Sequence, residues 1–211
     1  MKGIIFDLDG VLVFTDRYHY LAWKQLADRI GAQFDETVNN RLRGVSRMES
    51  LEIVLEGYSG TLFTQEEKEA LAAEKNETYR KLLAQMSPAD VSDGVRVTLA
   101  LLRARGYKLA IGSSSKNAKF ILERTELTDA FDAISDGTNI TNSKPDPEVF
   151  LKAAELIGVA PEDCAVVEDA EAGIQAAKTG GMIAIAIGPA TALDLPDYKL
   201  TAFSDLLKLF E

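Results

Sequence analysis

Apolar and polar positions change their spacing twice along this chain of 211 residues. Gly3-Ile4-Ile5-Phe6 is an unbroken, β-prone apolar run, the pattern of a strand buried on both faces of a parallel sheet. From about Thr15 to about Met86 the strand signal nearly vanishes. Tyr18-His19-Tyr20-Leu21-Ala22-Trp23 and the charged run from Gln65 to Arg80 follow helical spacing instead. From about Val95 onward, short apolar runs alternate with amphipathic stretches. Strands are predicted at Lys108 to Gly112, Phe131 to Ser135, Cys164 to Glu168 and Met182 to Ile187. Helices are predicted at Val95 to Arg105, Lys116 to Arg124, Pro147 to Leu156 and Ala170 to Thr179. Between Asp194 and Glu211 a short closing strand and a terminal helix are expected.

This alternation predicts an α/β fold: a Rossmann-like parallel sheet core with helices on both faces and an inserted all-α cap domain. The core would comprise residues 1–13 and 88–211, and the cap residues 14–87, with hinges near Phe14 and Ser87-Pro88-Ala89-Asp90. Ligands of such sheets bind at the C-terminal ends of the strands. The helical stretch leaves and re-enters at that edge, so it is expected to form a lid.

The strand ends carry the candidate chemistry. Asp7 and Asp9 follow the first strand and leave it on one face, with Gly10 allowing a sharp turn. Paired carboxylates there need a cation or a shared proton, and they suit a reaction in which one attacks and the other moves a proton. A bare D-x-D is more often a solvated acid pair, so the later strand ends decide. Gly112-Ser113-Ser114-Ser115-Lys116-Asn117 opens a helix, and its hydroxyls and N–H groups suit an anion. Lys116, placed in the first helical turn, opposes the helix dipole unless an anion is near. In Ser143-Lys144-Pro145-Asp146-Pro147, helix initiation explains Asp146 and Pro147 but not Lys144. Glu168-Asp169 adds a second acidic pair, whose repulsion a hard divalent cation would relieve.

In the helical stretch, Thr15, His19, Trp23 and Leu26 share one face. Ser46 and Glu49 have capping-box spacing, which puts Arg47 in the first turn of a helix, a second cation at a helix start. Two such anion sites suit a substrate carrying two phosphates.

Composition narrows the class. A formal net charge of −10 argues against a nucleic-acid partner, though a local cation cluster still admits a small anion. A single cysteine, Cys164, excludes an intrachain disulfide framework and fits a reducing cytoplasm; its apolar context reads as a core filler. No run is apolar enough to span a membrane, and the chain opens directly on a strand, with no room for a signal peptide. Nothing asks for an obligate interface, so a monomer is expected.

Taken together, D-x-D, a serine turn, a lysine and an acidic pair on successive strand ends resemble the haloacid dehalogenase superfamily of aspartate-nucleophile phosphoryl-transfer enzymes. Tyr18-His19, Ala22-Trp23, Gly44-Val45-Ser46-Arg47, Lys75-Asn76 and Ser114-Ser115-Lys116-Asn117 bring the match to its β-phosphoglucomutase family. That resemblance implies interconversion of β-glucose 1-phosphate and glucose 6-phosphate through a bisphosphate. It implies Asp7 as nucleophile, Asp9 as general acid/base, and Ser113, Ser114 and Lys144 on the transferring phosphoryl group. Arg47, Ser115, Lys116 and Asn117 would hold the other phosphate. His19, Trp23, Arg43, Gly44, Val45, Ser46, Ser50 and Lys75 would orient the sugar, and Asp7, Asp9, Glu168 and Asp169 would bind Mg2+. A sugar-phosphate phosphatase using the same nucleophile is the alternative, and a ligand-sensing domain without catalysis a more distant one. Two departures stand out: Phe14 where the family commonly has Asp, and Arg43 where it often has Lys.

Overall fold

The computed structural model describes residues 2–42 and 45–211. Arg43 and Gly44, both expected at the sugar, lie outside the described residues. Two compact units emerge: Met1–Phe14 with Met86–Glu211, and Thr15–Gln85.

The first unit is built on a six-stranded sheet. Its strands are β1 (Gly3–Phe6), β2 (Lys108–Gly112), β3 (Ala133–Ser135), β4 (Cys164–Glu168), β5 (Ile183–Ala186) and β6 (Tyr198–Lys199). The order is β3-β2-β1-β4-β5-β6, and every pairing is parallel. β1 is central because its residues are buried on both faces and can be satisfied only between two other strands. Phe6 is level with Ile111 on one side and Val167 on the other, so the next residue, Asp7, comes level with Gly112 and Glu168. The helices of this unit are α5 (Asp93–Ala104), α6 (Ala118–Arg124), α7 (Glu148–Ile157), α8 (Glu171–Thr179) and α9 (Leu206–Leu209). One sheet face is covered by α7 and α8, where Ile5, Ala110, Val149, Phe150, Val166 and Ile174 share one core. On the other face Phe6 meets the rings of Phe131 and Phe203.

Several boundaries shift by one or two residues from the pattern-based reading, and two of the shifts bear on the site. β3 begins at Ala133, two residues late, because Phe131 packs its ring edge on Phe6 and the Asp132 carboxylate accepts the Leu109 N–H. α6 begins at Ala118, which places Lys116 before the helix.

The second unit holds α1 (Asp16–Ile30), α2 (Glu36–Asn40), α3 (Arg47–Leu55) and α4 (Gln65–Leu83). Its core joins Trp23, Leu26, Phe34, Leu51, Val54 and Leu71. Each fully buried large side chain of this kind contributes roughly 1.5–3 kcal/mol. The capping box read from Ser46 and Glu49 is present: Glu49 N–H donates to Ser46 Oγ and Ser46 N–H to Glu49 Oε2.

Candidate active site

At the sheet edge, the chain leaves β1 into Asp7, whose N–H donates to Val167 O at 3.0 Å. The turn after Asp9 needs Gly10, which sits at φ +86°; a Cβ there would lie 2.1 Å from Asp169 Oδ2. Asp169 is thereby packed directly on the Asp9–Gly10 turn.

Lys144 and Asp7, 137 positions apart, meet here. The Lys144 ammonium donates to Asp7 Oδ1 at 2.5 Å and to Glu168 Oε1 at 2.6 Å, and lies 4.7 Å from the centre of the Phe150 ring. All three charged groups are buried. Burial alone would lower the Lys144 pKa, but the two bonded carboxylates raise it above its ordinary value, so it remains a fixed cation. Asp7 is pushed up to about 7, first by burial, then by Glu168 and Asp9, against the pull of Lys144. Asp169 is pushed up to about 8 by burial and by the charges of Glu168, Asp7 and Asp9. Burial first, and then the surplus of negative charge that four acids leave beside one lysine, holds these protons.

Both carboxylate oxygens of Glu168 are engaged. Its Oε1 accepts from Lys144, and its Oε2 accepts from the N–H groups of Asp169 and Ala170, each at 2.8 Å. The carboxylate therefore braces Lys144 and the turn into α8. Room for it comes from Gly173, where a Cβ would lie 1.9 Å from Glu168 Oε1. Gly173 was not legible as a site residue, although a glycine in the first turn of a helix, where it costs stability, is a signal that something packs there.

The serine turn is also built differently. Ser115 N–H donates to Ser113 Oγ and Asn117 N–H to Ser115 Oγ, both at 3.2 Å. These two local turns delay the helix, so Lys116 is an exposed loop residue and not a cation in a helical first turn. Asn117 is buried as the residue before α6. Among the described residues, the buried side-chain polar atoms left without a hydrogen-bond partner are Ser114 Oγ and Asp136 Oδ2. Such atoms are costly unless something else satisfies them, and Ser114 Oγ is the one on the serine turn.

The helical unit gathers a second cluster. Lys75, on α4, is 2.9 Å from His19 Nδ1, on α1. Lys75 Nζ also lies 4.6 Å from the centre of the Trp23 ring and 4.7 Å from that of Tyr79. An ammonium only donates, so Nδ1 accepts and the imidazole carries its proton on Nε2. Burial, then the charges of Lys75 and Arg47, hold the His19 pKa well below its ordinary value. Arg47, the first residue of α3, is itself held below its usual value by burial, with Tyr79 pulling the other way. Trp23 is a core side chain of this unit, 2% exposed, with its ring against the Lys75 ammonium. Ser50 is likewise buried within α3, and Val45 and Ser46 lie just before that helix.

Tyr79 was missed from the sequence. Its ring stacks on His19 with centroids 4.0 Å apart, and its hydroxyl donates to Thr15 Oγ1 at 2.9 Å. Its spacing of four from Lys75 along α4 was the available signal.

Comparison with known proteins agrees with this architecture. The family model for haloacid dehalogenase-like hydrolase matches residues 1–181. A β-phosphoglucomutase of Bacillus subtilis (strain 168) is 44% identical over 207 residues, covering 98% of this chain and 92% of the relative. A phosphorylated carbohydrates phosphatase of Thermotoga maritima is 32% identical over 184 residues, covering 86% of this chain and 82% of the relative. The crystal structure of a β-phosphoglucomutase from Clostridium difficile superimposes with a TM-score of 0.90 at 37% identity, covering 98% of this chain and 93% of that one.

Proposed function

Because the chain belongs to the haloacid dehalogenase-like hydrolase family, we propose that it is a β-phosphoglucomutase, interconverting β-D-glucose 1-phosphate and glucose 6-phosphate through β-glucose 1,6-bisphosphate. Asp7 attacks phosphorus, the bond from phosphorus to the sugar oxygen breaks, and Asp9 gives that oxygen a proton. In the opposite sense a sugar hydroxyl attacks the aspartyl phosphate while Asp9 takes its proton. Lys144 holds Asp7 and, with Ser113 and the unsatisfied Ser114 Oγ, balances charge on the transferring group. Ser115, Lys116, Asn117 and Arg47 take the other phosphate.

The donor chemistry fits Mg2+. Among the described residues no three His, Cys, Asp or Glu side chains form a ready-made cage. Mg2+ asks for one or two carboxylates, water and substrate phosphate instead. Asp7 and Asp169 would hold it, with Asp9 contributing its carbonyl and Glu168 bracing from behind. When bound, the ion would offset the charge that collects on the phosphoryl oxygens.

The helical unit 15–85 acts as the lid of the core formed by the rest of the chain. Its closing on a bound sugar phosphate, through His19, Arg47, Lys75 and residues Arg43 to Ser46, keeps water from the aspartyl phosphate. We place the enzyme in the cytoplasm as a monomer acting on small sugar phosphates, with neither nucleic acid nor membrane as partner; no helix among the described residues is long and apolar enough to cross a membrane.

The observation that carries the reading is that a Lys144-braced Asp7 at the sheet edge occurs in one chain with the cation cluster of the helical unit. Simple phosphate release needs only the first. The test is incubation with Mg2+, β-glucose 1-phosphate and a trace of the bisphosphate, following glucose 6-phosphate and inorganic phosphate separately. Glucose 6-phosphate is expected as the main product, and Asp7→Asn is expected to abolish both products. Inorganic phosphate as the main product would replace the mutase by a phosphatase.

A further inference from the structure

Tyr79 touches His19, Lys75 and Thr15, and yet has no part in the chemistry proposed above. It is 1% exposed. One face of its ring lies against His19, with centroids 4.0 Å apart and planes at 29°. Lys75 Nζ sits 4.7 Å from the ring centre, where the quadrupole attracts a cation. Its hydroxyl donates to Thr15 Oγ1 at 2.9 Å, and Thr15 is the first residue of the helical unit. The unit ends at Gln85, six positions beyond Tyr79.

We propose that Tyr79 is a positioning residue: it fixes His19 as a neutral Nε2–H donor and ties that donor, through Thr15, to the point where the chain enters the helical unit. Three constraints converge on one ring. Stacking sets the plane of the imidazole, since the two rings slide or tilt only together. The cation–π contact holds the Lys75 ammonium at the height of Nδ1, which keeps that nitrogen an acceptor. The hydroxyl then stops the Tyr79 ring from sliding along α4, because a buried phenol that leaves Thr15 loses its hydrogen bond with no water to replace it. Since α1 begins at Asp16 and α4 ends at Leu83, this bond also joins the first turn of one helix to the last turns of the other. A change of backbone angle at Thr15 is thereby passed to the ring that holds His19 and Lys75. For the kinetic consequence the inference rests on the mutase reading: a donor that reaches its place only when Thr15 does would let phosphoryl transfer to sugar outrun transfer to water.

The chain holds a single histidine, so the ring nitrogens of His19 give the only imidazole signals in the untagged protein. In the 15N-labelled wild type at pH 7, Nδ1 is expected to show the shift of an unprotonated acceptor and Nε2 that of a protonated nitrogen. In Tyr79→Phe, which keeps the ring and removes the hydroxyl, the two shifts are expected to move toward each other as tautomers mix. Thr15→Val, which deletes the same bond from its other end, should do the same, and Thr15→Ser should restore the wild-type pattern. The ratio of glucose 6-phosphate formed to phosphate released is expected to fall about tenfold in Tyr79→Phe, the effect open to one buried hydrogen bond. This ratio does not change with the fraction of protein folded, so lost stability alone cannot move it. Unchanged His19 shifts in Tyr79→Phe and Thr15→Val overturn the inference, as does an unchanged ratio. A wild type that releases only phosphate defeats the mutase reading instead, and the nitrogen shifts still decide the role of Tyr79.

Discussion

His19 makes folding stability depend on pH in a window of its own. Its pKa lies well below the ordinary 6.5 in the folded protein, while the unfolded chain titrates near that value. Below 6.5 the unfolded state therefore binds a proton that the folded state refuses, so the stability is complete above 6.5 and is lost as the pH falls. A difference of one bound proton corresponds to about 1.4 kcal/mol per pH unit. Asp7 and Asp169, raised to about 7 and about 8, act with the opposite sign: their folded forms keep protons that the unfolded chain releases, so they cost stability as the pH rises. Comparing wild type with His19→Gln separates the two. Urea unfolding at pH 5 and pH 7.5 is expected to show the wild type losing more stability than the variant on acidification. Parallel losses would mean that His19 accepts a proton in the folded state.

Among the elements, α8 and the serine turn show how side chains shape backbone. α8 keeps a glycine in its first turn because the Glu168 carboxylate occupies the space a methyl group would need. Alanine is the better helix former by about 1 kcal/mol, so Gly173→Ala favours the helix locally. It also displaces Glu168 from Lys144, and the loss of that brace is expected to lower turnover at least tenfold with little change in melting temperature. Wild-type turnover in Gly173→Ala would show that Lys144 needs no second carboxylate. The strand runs and the Ser46–Glu49 cap were legible because they depend on neighbours in sequence: β1, β2 and β4 fall where their apolar runs do. What was not legible depends on partners far along the chain or on competition within a turn. Tyr79 finds Thr15 across 64 positions, and Glu168 finds Lys144 across 24. Lys116 was put on the helix because its spacing fits one; two serine hydroxyls capture the N–H groups that would have begun it.

For the whole molecule, charge is the organising quantity. The chain carries ten more negative than positive formal charges, and four acids of that surplus meet at one sheet edge, two of them bonded to Lys144. A divalent cation that relieves this repulsion binds the folded state alone and must stabilise it. Addition of millimolar Mg2+ is expected to raise the melting temperature by several degrees, and Asp169→Asn to remove most of that rise while leaving the cation-free value near or above that of the wild type. A rise of equal size in Asp169→Asn would place the cation elsewhere.

The central position of β1 has a consequence for synthesis. Its neighbours begin at Lys108 and Cys164, so the strand that ends in Asp7 waits for more than three quarters of the chain before both its edges can pair. The helical unit is contiguous and complete by Gln85, with local contacts of the kind that form fast. On the ribosome it is therefore free to fold while β1 is still an unpaired apolar strand, open to wrong partners until β4 emerges. The nucleophile emerges long before the second of the two strands that set it in place.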